Sequence, residues 1–537
     1  MVQERAFGAI NQGACPGMAD IVLINPMFEV SYWGLEHALP FLGKRANMPV
    51  ACLPLLAALT PGEHTVTLID ENVEAIDYER CARADIVGVT GMSVQRFRMK
   101  EILAELRRRG AFTVLGGPYV TVHEGYFEGL ADVHFIGEAE ETWPQFLLEW
   151  EQGLHQVRYE QAEKSDMAKV PTPRFDLLKM RHYLFGSLQF SRGCPFQCEF
   201  CDIIITFGRR PRIKTSPQII AELEAMRAQK MRIVFIVDDN LIGNKKAIKE
   251  VLRDVIAWQV ENGYPLTFFT EASIDLADDE ELMQLMVEAN ILAVFVGIES
   301  PNEASLRETK KFQNVRAGGT ILEKVHRIQE AGMEVWCGMI LGFDNDDSSI
   351  FEAQRKFLTE ARIGNAMIGM LAAIPKTPLH ARLAEEGRLD DSDPPEFGTN
   401  VIPLRISREE LRDGYIGVMN DLYTAEAYFG RLDALIVDAK IDMGRGRARY
   451  WRRHPWELVK TQSIFLAQAI GLYARLMHGL PDPALRREYH RRIWRVLRVR
   501  RDPGVLLYYV LKCAMHYHAH SMAKEMASGE GQIVNSF

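Results

Sequence analysis

The chain has 537 residues, with 72 acidic and 63 basic side chains and a formal net charge of −9 at pH 7. Three of its eight cysteines are clustered and five are scattered, a pattern that excludes a secreted protein held together by disulfides. No run of about 18 uncharged apolar residues occurs, so a membrane-spanning helix is excluded as well. We therefore expect a cytoplasmic protein of roughly three domains.

Short β-branched runs alternate with helix-like stretches in the first part of the chain. The runs end in glycine, proline or aspartate turns and lie at 21–26, 66–70, 85–91, 112–117 and 133–137. Such buried runs predict the parallel strands of an α/β, doubly wound, Rossmann-like domain over residues 1–153. Because the carboxyl ends of these strands meet at one rim, ligand contacts are expected from Thr90, Gly91, Met92, Gly116, Gly117, Pro118, Gly137 and Glu138.

The strand-end segments of this region resemble the cobalamin-binding domain of methionine synthase and its relatives. The resemblance rests on ADIVGVTGM at 84–92, VLGGP at 114–118 and GE at 137–138. It implies that 90–92 line the nucleotide-loop pocket and that the glycine pair at 116–117 lets the backbone approach the cofactor tail. The first strand runs into 25–29 without a DxHxxG motif. A bound cobalamin would then receive no axial histidine from this loop, and a flavodoxin-like domain without a ligand is the alternative.

Three cysteines follow the next predicted strand, at 187–193. Cys194, Cys198 and Cys201 are spaced by three and two residues, and the next cysteine is Cys337. Three thiolates hold three irons of a four-iron cluster and leave the fourth open, whereas a structural zinc site takes four ligands. The spacing, with the aromatic Phe200 before the last cysteine, resembles that of the radical S-adenosylmethionine (SAM) enzymes.

This resemblance implies a [4Fe-4S] cluster whose open iron binds the amino and carboxylate groups of SAM. One electron from the cluster then cleaves SAM to give a 5′-deoxyadenosyl radical. The resemblance also implies a partial (β/α)6 barrel, expected at 181–390 after a polar linker at 154–180. Its strands are predicted at 187–193, 232–240, 266–274, 292–300, 334–343 and 366–375.

Polar residues close several of these barrel strands, where a barrel keeps its active site. The triplet at 238–240 stands where relatives often carry a Gly-Gly-Glu motif for the SAM amino group. The resemblance implies SAM contacts from Phe200, Asp238, Asp239, Asn240, Glu271, Glu299, Ser300 and Gly338. No catalytic side chain is identified from the sequence.

A mainly helical extension is predicted at 391–537, and its segments 397–400 and 408–432 resemble those of the hopanoid C-2 methylase group. Residues 445–501 hold fourteen Arg and one Lys against three acidic residues, a balance of +12. Within them, 485–501 predict a basic amphipathic helix with Leu485, Tyr489, Ile493 and Leu497 on one face. This helix either lies on an anionic membrane or packs on the barrel, and nucleic-acid binding is not expected.

These features predict a cobalamin-dependent radical SAM methyltransferase that acts on an unactivated carbon of a hopanoid or other polyisoprenoid lipid. An sp3 C–H bond is too weakly acidic for a general base, so cofactors must carry the difficult step. We expect a flavodoxin or ferredoxin as reductant and a location in the cytoplasm at the inner face of the membrane. The alternatives are a cobalamin-binding radical SAM oxidoreductase or cyclase, and a non-catalytic cobalamin or redox sensor.

Overall fold

The structure is a computed structural model that describes residues 17–316 and 318–529. The described strands are β1 Asp20–Asn25, β2 Thr65–Asp70, β3 Ile86–Thr90, β4 Thr113–Gly116, β5 Val133–Ile136, β6 Arg158–Glu160, β7 Gly186–Leu188, β8 Ser191–Arg192, β9 Arg212–Ile213, β10 Ile233–Ile236, β11 Thr267–Glu271, β12 Ile291–Glu299, β13 Glu334–Leu341 and β14 Ala366–Met370.

The α-helices of the same residues are α1 Leu39–Leu42, α2 Cys52–Leu59, α3 Tyr78–Arg83, α4 Arg96–Arg108, α5 Pro118–Val122, α6 Thr142–Glu151, α7 Ile203–Thr206, α8 Ser216–Ala228, α9 Lys245–Glu261, α10 Glu280–Glu288, α11 Glu303–Glu308, α12 Phe312–Val315, α13 Ile321–Ala331, α14 Ser349–Glu360, α15 Pro378–Glu385, α16 Arg408–Leu422, α17 Ala425–Asp433, α18 Ala448–Arg453, α19 Pro455–Gly479, α20 Pro483–Val499 and α21 Pro503–Ser528. The chain divides into two compact units.

The first unit contains residues 17–27, 50–165 and 170–178. Its sheet has the order β2-β1-β3-β4-β5-β6, and every neighbouring pair is parallel. All five residues of β3 are buried, which is typical of a parallel strand covered on both faces. The predicted doubly wound sheet is confirmed.

Helix α4 shows why the sequence folds in this way. Met99, Ile102, Leu103 and Leu106 recur at helical spacing and are fully buried in the same cluster as strand residues such as Val89. Burial of each such side chain stabilises the fold by about 1.5–3 kcal/mol. The helix stop was correctly placed, because Gly110 adopts φ +77°, a left-handed conformation that glycine adopts without strain.

The end of this unit differs from the predicted linker at 154–180. Strand β6 lies inside that range and pairs in parallel with β5, His134 opposite Arg158 and Ile136 opposite Glu160. Its sequence Arg-Tyr-Glu buries Tyr159 alone, so it carries neither the apolar run nor the clear alternation that indicates a strand. The first sheet therefore extends past the predicted boundary at residue 153.

The second unit contains residues 28–49, 166–169 and 179–529. Its main sheet has the order β14-β13-β12-β11-β10-β7 and is parallel throughout, with helices between successive strands. The six predicted strands of the (β/α)6 core are all present. Alternate residues of a strand share a face, and on one face Phe235, Phe269 and Trp336 form an aromatic layer with ring centroids 4.6 and 5.4 Å apart.

Residues 28–49 lie in the second unit, although the predicted first domain included them. Tyr32, Leu35 and Leu39 are buried there. The segment continues to Ala46, which forms a parallel bridge with Tyr183 ahead of the first barrel strand. These apolar side chains are covered by the second unit, a tertiary pairing that local sequence patterns do not encode.

The C-terminal extension is helical, as predicted. The apolar face of α20 is buried through Leu485, Tyr489 and Ile493, with Val496 in place of the expected Leu497. On the same helix, Arg492 lies 2.7 Å from Asp433. The apolar face of α20 therefore packs against neighbouring helices of the extension, and membrane contact by its basic side chains stays a prediction.

A buried ion pair connects the last helix to the barrel. Lys512 of α21 lies 2.8 Å from the Glu334 carboxylate at the start of β13, and both side chains are essentially inaccessible. Lys512 also donates to Asn365, and Trp336 donates to Glu334. Because removal of one partner from a buried pair is strongly destabilising, this network fixes α21 against the amino-terminal ends of the strands.

Candidate functional site

The cysteine loop is a closed excursion between two short strands. Strands β8 and β9 pair antiparallel, Ser191 opposite Ile213, so the chain leaves and returns at one place. Gly193 adopts φ +96°, and a Cβ there would lie 2.8 Å from the Gly208 carbonyl oxygen. The Cys194 amide donates to the same carbonyl at 3.2 Å. Glycine is thus required at 193 for the loop to close.

Neighbouring amides donate to two of the three cysteine sulfurs. Asn240 Nδ2 lies 4.0 Å from Cys194 Sγ, and Gln313 Nε2 lies 3.5 Å from Cys198 Sγ. Burial raises the pKa of the Cys194 and Cys201 thiols, and a bound iron would displace their protons. Hydrogen bonds to thiolate sulfur are a means by which proteins tune an iron–sulfur cluster.

The three thiols of this loop, two of which accept from neighbouring amides, fit a four-iron cluster. Among the described residues, no three His, Cys, Asp or Glu side chains have the geometry to hold one metal ion. A four-iron cluster takes one thiolate per iron, so its ligands need not converge on one point. The Gln313 side-chain oxygen is buried without a partner in the described chain, which leaves that amide oriented by the sulfur contact alone.

Asp238 holds the loop in place. Its Oδ1 accepts from the Phe190 amide at 2.7 Å, and its Oδ2 accepts from the amide and hydroxyl of Ser191 at 2.7 and 2.5 Å. Both carboxylate oxygens are thereby engaged by the strand that leads to Cys194. These hydrogen bonds give Asp238 a role in positioning the cysteine loop, and the SAM contact expected at this position stays a prediction.

The other two members of the triplet lie closer to the loop itself. Asp239 Oδ2 accepts from the Gly193 amide at 3.3 Å, and burial raises its pKa to about 6. Asn240 accepts from the Ser273 amide at 3.2 Å while it donates toward Cys194. The structure thus brings the end of β10 and the cysteine loop together. This agrees with the expectation that a barrel keeps its active site at the ends of its strands.

Glu271 is the last residue of β11. It lies on the same face of the strand as Phe269 of the aromatic layer, two residues further along the chain. It is half-buried, and no described group donates a hydrogen bond to its carboxylate. Burial raises its pKa to about 8, with further contributions from the nearby Asp239 and Asp238 and an opposing one from Lys311. A half-buried carboxyl that accepts no hydrogen bond from the described residues is a candidate contact for a cationic or hydroxyl-bearing ligand.

Lys311 is a site residue that the strand-end rule missed. Its Nζ lies 2.6 Å from Glu299 Oε1, and both side chains are largely buried. Burial alone would lower the pKa of Lys311, but the Glu299 carboxylate and the Cys198 thiol raise it above its ordinary value. The ammonium group also lies 5.8 Å from the Phe200 ring centroid. A fixed positive charge beside the cysteines favours an anionic cluster.

The segment at 311–314 forms one wall of the site. Gln313 contacts Cys198, and Asn314 Nδ2 donates to the Gly297 and Ile298 carbonyls at 3.0 and 2.9 Å. The segment begins one residue before α12 and continues into that helix. It does not follow a strand, so the expectation that ligand contacts lie at strand ends does not identify it. The available sequence cue is the density of polar side chains in Lys-Lys-Phe-Gln-Asn at 310–314.

The remaining predicted SAM contacts lie around this site. Glu299 ends β12 with φ +64°, an uncommon conformation for a residue other than glycine. Ser300 is buried and accepts from the Asn302 amide at 3.1 Å, so it stabilises its own turn. Gly338 pairs with Gly297 in the sheet, and Phe200 packs beside Phe343 with ring centroids 6.2 Å apart.

The predicted cobalamin contacts of the first unit lie at the ends of β3, β4 and β5. A Cβ at Gly117, which has φ +109°, would lie 2.4 Å from the Thr90 hydroxyl and 3.0 Å from the Gly91 nitrogen. Glycine at 117 therefore permits two rim loops to touch. The backbone positions at 116–118 form the turn into α5, and Met92 is half exposed.

Two further rim positions make contacts within the unit. The Gly137 amide donates to Thr121 Oγ1 at 2.9 Å, and Gly137 has φ +81° with open space around its Cα. Glu138 is buried and accepts from the Ser165 amide at 2.8 Å. Glu138 therefore fixes the connection after β6, a contact that the sequence did not predict.

Comparison with protein families finds a radical SAM superfamily domain at residues 188–356 and a domain of unknown function (DUF4070) at 377–532. The chain is 31% identical to the hopanoid C-2 methylase of Rhodopseudomonas palustris over 521 residues, 96% of this chain and 95% of that enzyme. It is 39% identical to an uncharacterized methyltransferase of Synechocystis over 416 residues, 76% of this chain and 77% of that protein.

A solved structure shares the fold over most of the length. The cobalamin-dependent SAM radical enzyme OxsB, with aqua-cobalamin bound, aligns with a TM-score of 0.58 at 14% identity and covers 96% of this chain and 82% of its own. At this identity the likeness concerns architecture. It agrees with the observed order of a parallel α/β unit followed by a (β/α)6 core.

The raised pKa of Glu271 makes a testable prediction about SAM binding. SAM carries a sulfonium charge, and the carboxyl is protonated below about pH 8, so binding to the ionised form releases a proton. We expect the dissociation constant to fall with rising pH, by up to about tenfold per pH unit below that pKa, and to level off above it. Equilibrium dialysis of labelled SAM with reconstituted protein measures this.

The matched control is Glu271→Gln, which keeps the shape and removes the titration. This variant should bind SAM more weakly at high pH and should lose the part of the pH dependence that Glu271 contributes. Identical pH profiles for the two proteins would contradict a ligand role for Glu271.

Proposed function

The chain belongs to the radical SAM methyltransferase family that includes hopanoid C-2 methylase, and we propose that it is a cobalamin-dependent C-methyltransferase of a hopanoid or other polyisoprenoid lipid. The observation that best supports this proposal is the similarity to that methylase along nearly the whole chain, including the helical extension. Membership implies a [4Fe-4S] cluster and SAM as cofactors. A methyl group added to an unactivated carbon requires radical chemistry, because no side chain is basic enough to remove such a proton.

The second unit would hold the cluster and SAM. Cys194, Cys198 and Cys201 would be the cluster ligands, and Lys311 places positive charge beside them. Glu271 and Glu299 supply the carboxylates on the strand-end side of the same site. When bound, the cluster supplies the electron that cleaves SAM and the cobalamin supplies the methyl group. The protein orients these groups and shields them from water.

Cobalamin binding is proposed for the rim of the first unit. The turns at 90–92, 116–118 and 137–138 meet there, and the solved neighbour with the same architecture contains aqua-cobalamin. At the end of β1, Asn25 donates to Asp70 and accepts from Gln95 at 3.0 Å in each case. That position is filled by a buried amide network, so a lower axial histidine from this loop is not part of the proposal.

The function is tested with reconstituted protein, a strong reductant, cobalamin, SAM carrying a CD3 methyl group and polyisoprenoid lipid. We expect lipid that has gained one CD3 group, together with 5′-deoxyadenosine. Mass spectrometry of the extracted lipid measures the transfer.

Two other outcomes would contradict the proposal. Substrate that has gained oxygen or lost hydrogen without the label indicates an oxidoreductase or cyclase. Absence of 5′-deoxyadenosine under conditions where the cluster is intact indicates a cobalamin or redox sensor.

We also infer where an electron donor docks. Arg209 and Arg210 are exposed in the return limb of the cysteine loop, and Arg209 Nη2 donates to the Pro195 carbonyl at 3.4 Å. Nearby, the Arg316 guanidinium lies 5.8 Å from the Phe196 ring centroid. This basic surface beside the cluster loop complements an acidic flavodoxin or ferredoxin, whose encounter it would accelerate.

Charge reversal at this surface tests the docking site. The variant Arg209→Glu with Arg210→Glu should form 5′-deoxyadenosine roughly tenfold or more slowly when reduced flavodoxin is the donor. With dithionite, a small reductant, its rate should equal that of the parent protein. An equal loss with both reductants would show damage to the cluster loop and would contradict a docking role.

A further inference from the structure

Helix α19, Pro455–Gly479, has apolar side chains on two opposite faces. One face packs in the unit through Ala469, Leu472 and Leu476, which are buried. The opposite face is open to solvent and carries Trp456, Val459 and Ile470, which are 85%, 57% and 57% exposed. A surface helix of a globular protein normally places charged residues on that face.

The open face is uncharged over four turns. No Asp, Glu, Lys or Arg occurs from 461 to 474, and Ile464 and Leu466 add to the exposed apolar surface. A contiguous apolar surface of this kind marks an interaction site in a soluble protein. Within residues 17–316 and 318–529, no helix is both long and apolar enough to cross a membrane.

Basic residues surround the apolar face. Exposed Arg452 and Arg453 precede it, Lys460 lies within its first turns and Arg475 follows it. No acidic residue occurs between Glu457 and Asp482. An apolar helix face bordered by Arg and Lys, with a tryptophan at its end, matches the chemistry of an anionic lipid–water interface.

The neighbouring helix α20 extends this surface. Tyr473 of α19 is hydrogen-bonded to His490 at 2.6 Å, and the half-exposed Trp494 lies 6.0 Å from the His490 ring. Arg491 and Arg498 are exposed on the same helix. Because the apolar face of α20 is buried, α20 contributes cations and one tryptophan, while α19 contributes the apolar area.

We propose that the open face of α19, with Trp494 and the flanking arginines, docks the protein onto an anionic lipid bilayer. The surface would lie in the headgroup region, with the apolar side chains inserted and the cations on lipid phosphates. A second copy of the chain fits less well, because a symmetric contact would bring the two basic borders together. The link from this surface to delivery of a lipid substrate rests on the proposed function, but the docking itself does not.

Co-sedimentation of the full chain with vesicles tests the proposal. We expect binding to vesicles of phosphatidylcholine with phosphatidylglycerol, weaker binding to phosphatidylcholine alone, and loss of binding at high salt. The variant Val459→Glu with Leu466→Glu changes two residues one heptad apart on the open face. Its partition coefficient into these vesicles should fall by about tenfold or more. The control Ala221→Glu with Ala228→Glu adds the same charges at the same spacing on exposed positions of α8 and should bind normally.

Three results would overturn the proposal. Equal vesicle binding by the α19 variant and the control would exclude this face. Binding that ignores lipid charge would exclude an anionic surface. A wild-type dimer that the α19 variant dissociates, without vesicle binding, would identify a second copy as the occupant. Formation of 5′-deoxyadenosine in solution, measured in parallel, confirms that the variant is folded and shows separately whether the proposed chemistry occurs.

Discussion

The Asp238 carboxylate is the contact on which the candidate site depends. Its three hydrogen bonds to Phe190 and Ser191 attach the strand before the cysteine loop to the end of β10. Burial raises the pKa of this group to about 7 although the hydrogen bonds favour the ionised form. The hydrogen bonds therefore offset part of the desolvation of this carboxyl. Asp239 and Asn240 reach Gly193 and Cys194 from the same strand end.

The site has an excess of buried carboxylates and one compensating ammonium group. Burial raises the pKa of Asp239 and of Glu271, and nearby carboxylates add to the shift, Asp202 for Asp239 and Asp239 for Glu271. Lys311 is held beside Glu299. Lys311 would also balance the negative charge that the cysteine loop acquires when its thiols bind iron. Glu271, whose pKa stays raised despite the nearby Lys311, is the group that a positively charged ligand would neutralise. This arrangement explains how one strand-end region could receive both an iron–sulfur cluster and a sulfonium-bearing cofactor.

Much of the architecture could be predicted because its signals are local. The buried β-branched runs, the helical spacing in α4 and the glycine at 110 each reflect one element, and the cysteine spacing reflects one loop. Strand β6 was missed because three residues with a single apolar side chain carry no period. The transfer of 28–49 to the second unit depends on tertiary burial of residues such as Tyr32.

The site was harder to predict than the fold. Strand-end reasoning placed Glu271 and Glu299 at the strand ends that they close. It gave no sign of the hydrogen bonds that Asp238 and Glu138 make within the fold. Lys311 and Gln313 lie outside any strand end. In the extension, the sequence drew attention to the basic helix α20, whereas the apolar side chains left in solvent belong to α19. Which face of an amphipathic helix is covered is decided by its neighbours.

The most direct test of the central claim combines the cluster ligands with the fate of SAM. Reconstituted protein should bind iron and sulfide and, with SAM, reductant, cobalamin and a polyisoprenoid lipid, should produce both 5′-deoxyadenosine and S-adenosylhomocysteine. The variant with Cys194, Cys198 and Cys201 changed to alanine should lose the cluster absorbance and form no 5′-deoxyadenosine. A full cluster in that variant, or SAM cleavage without it, would contradict the account.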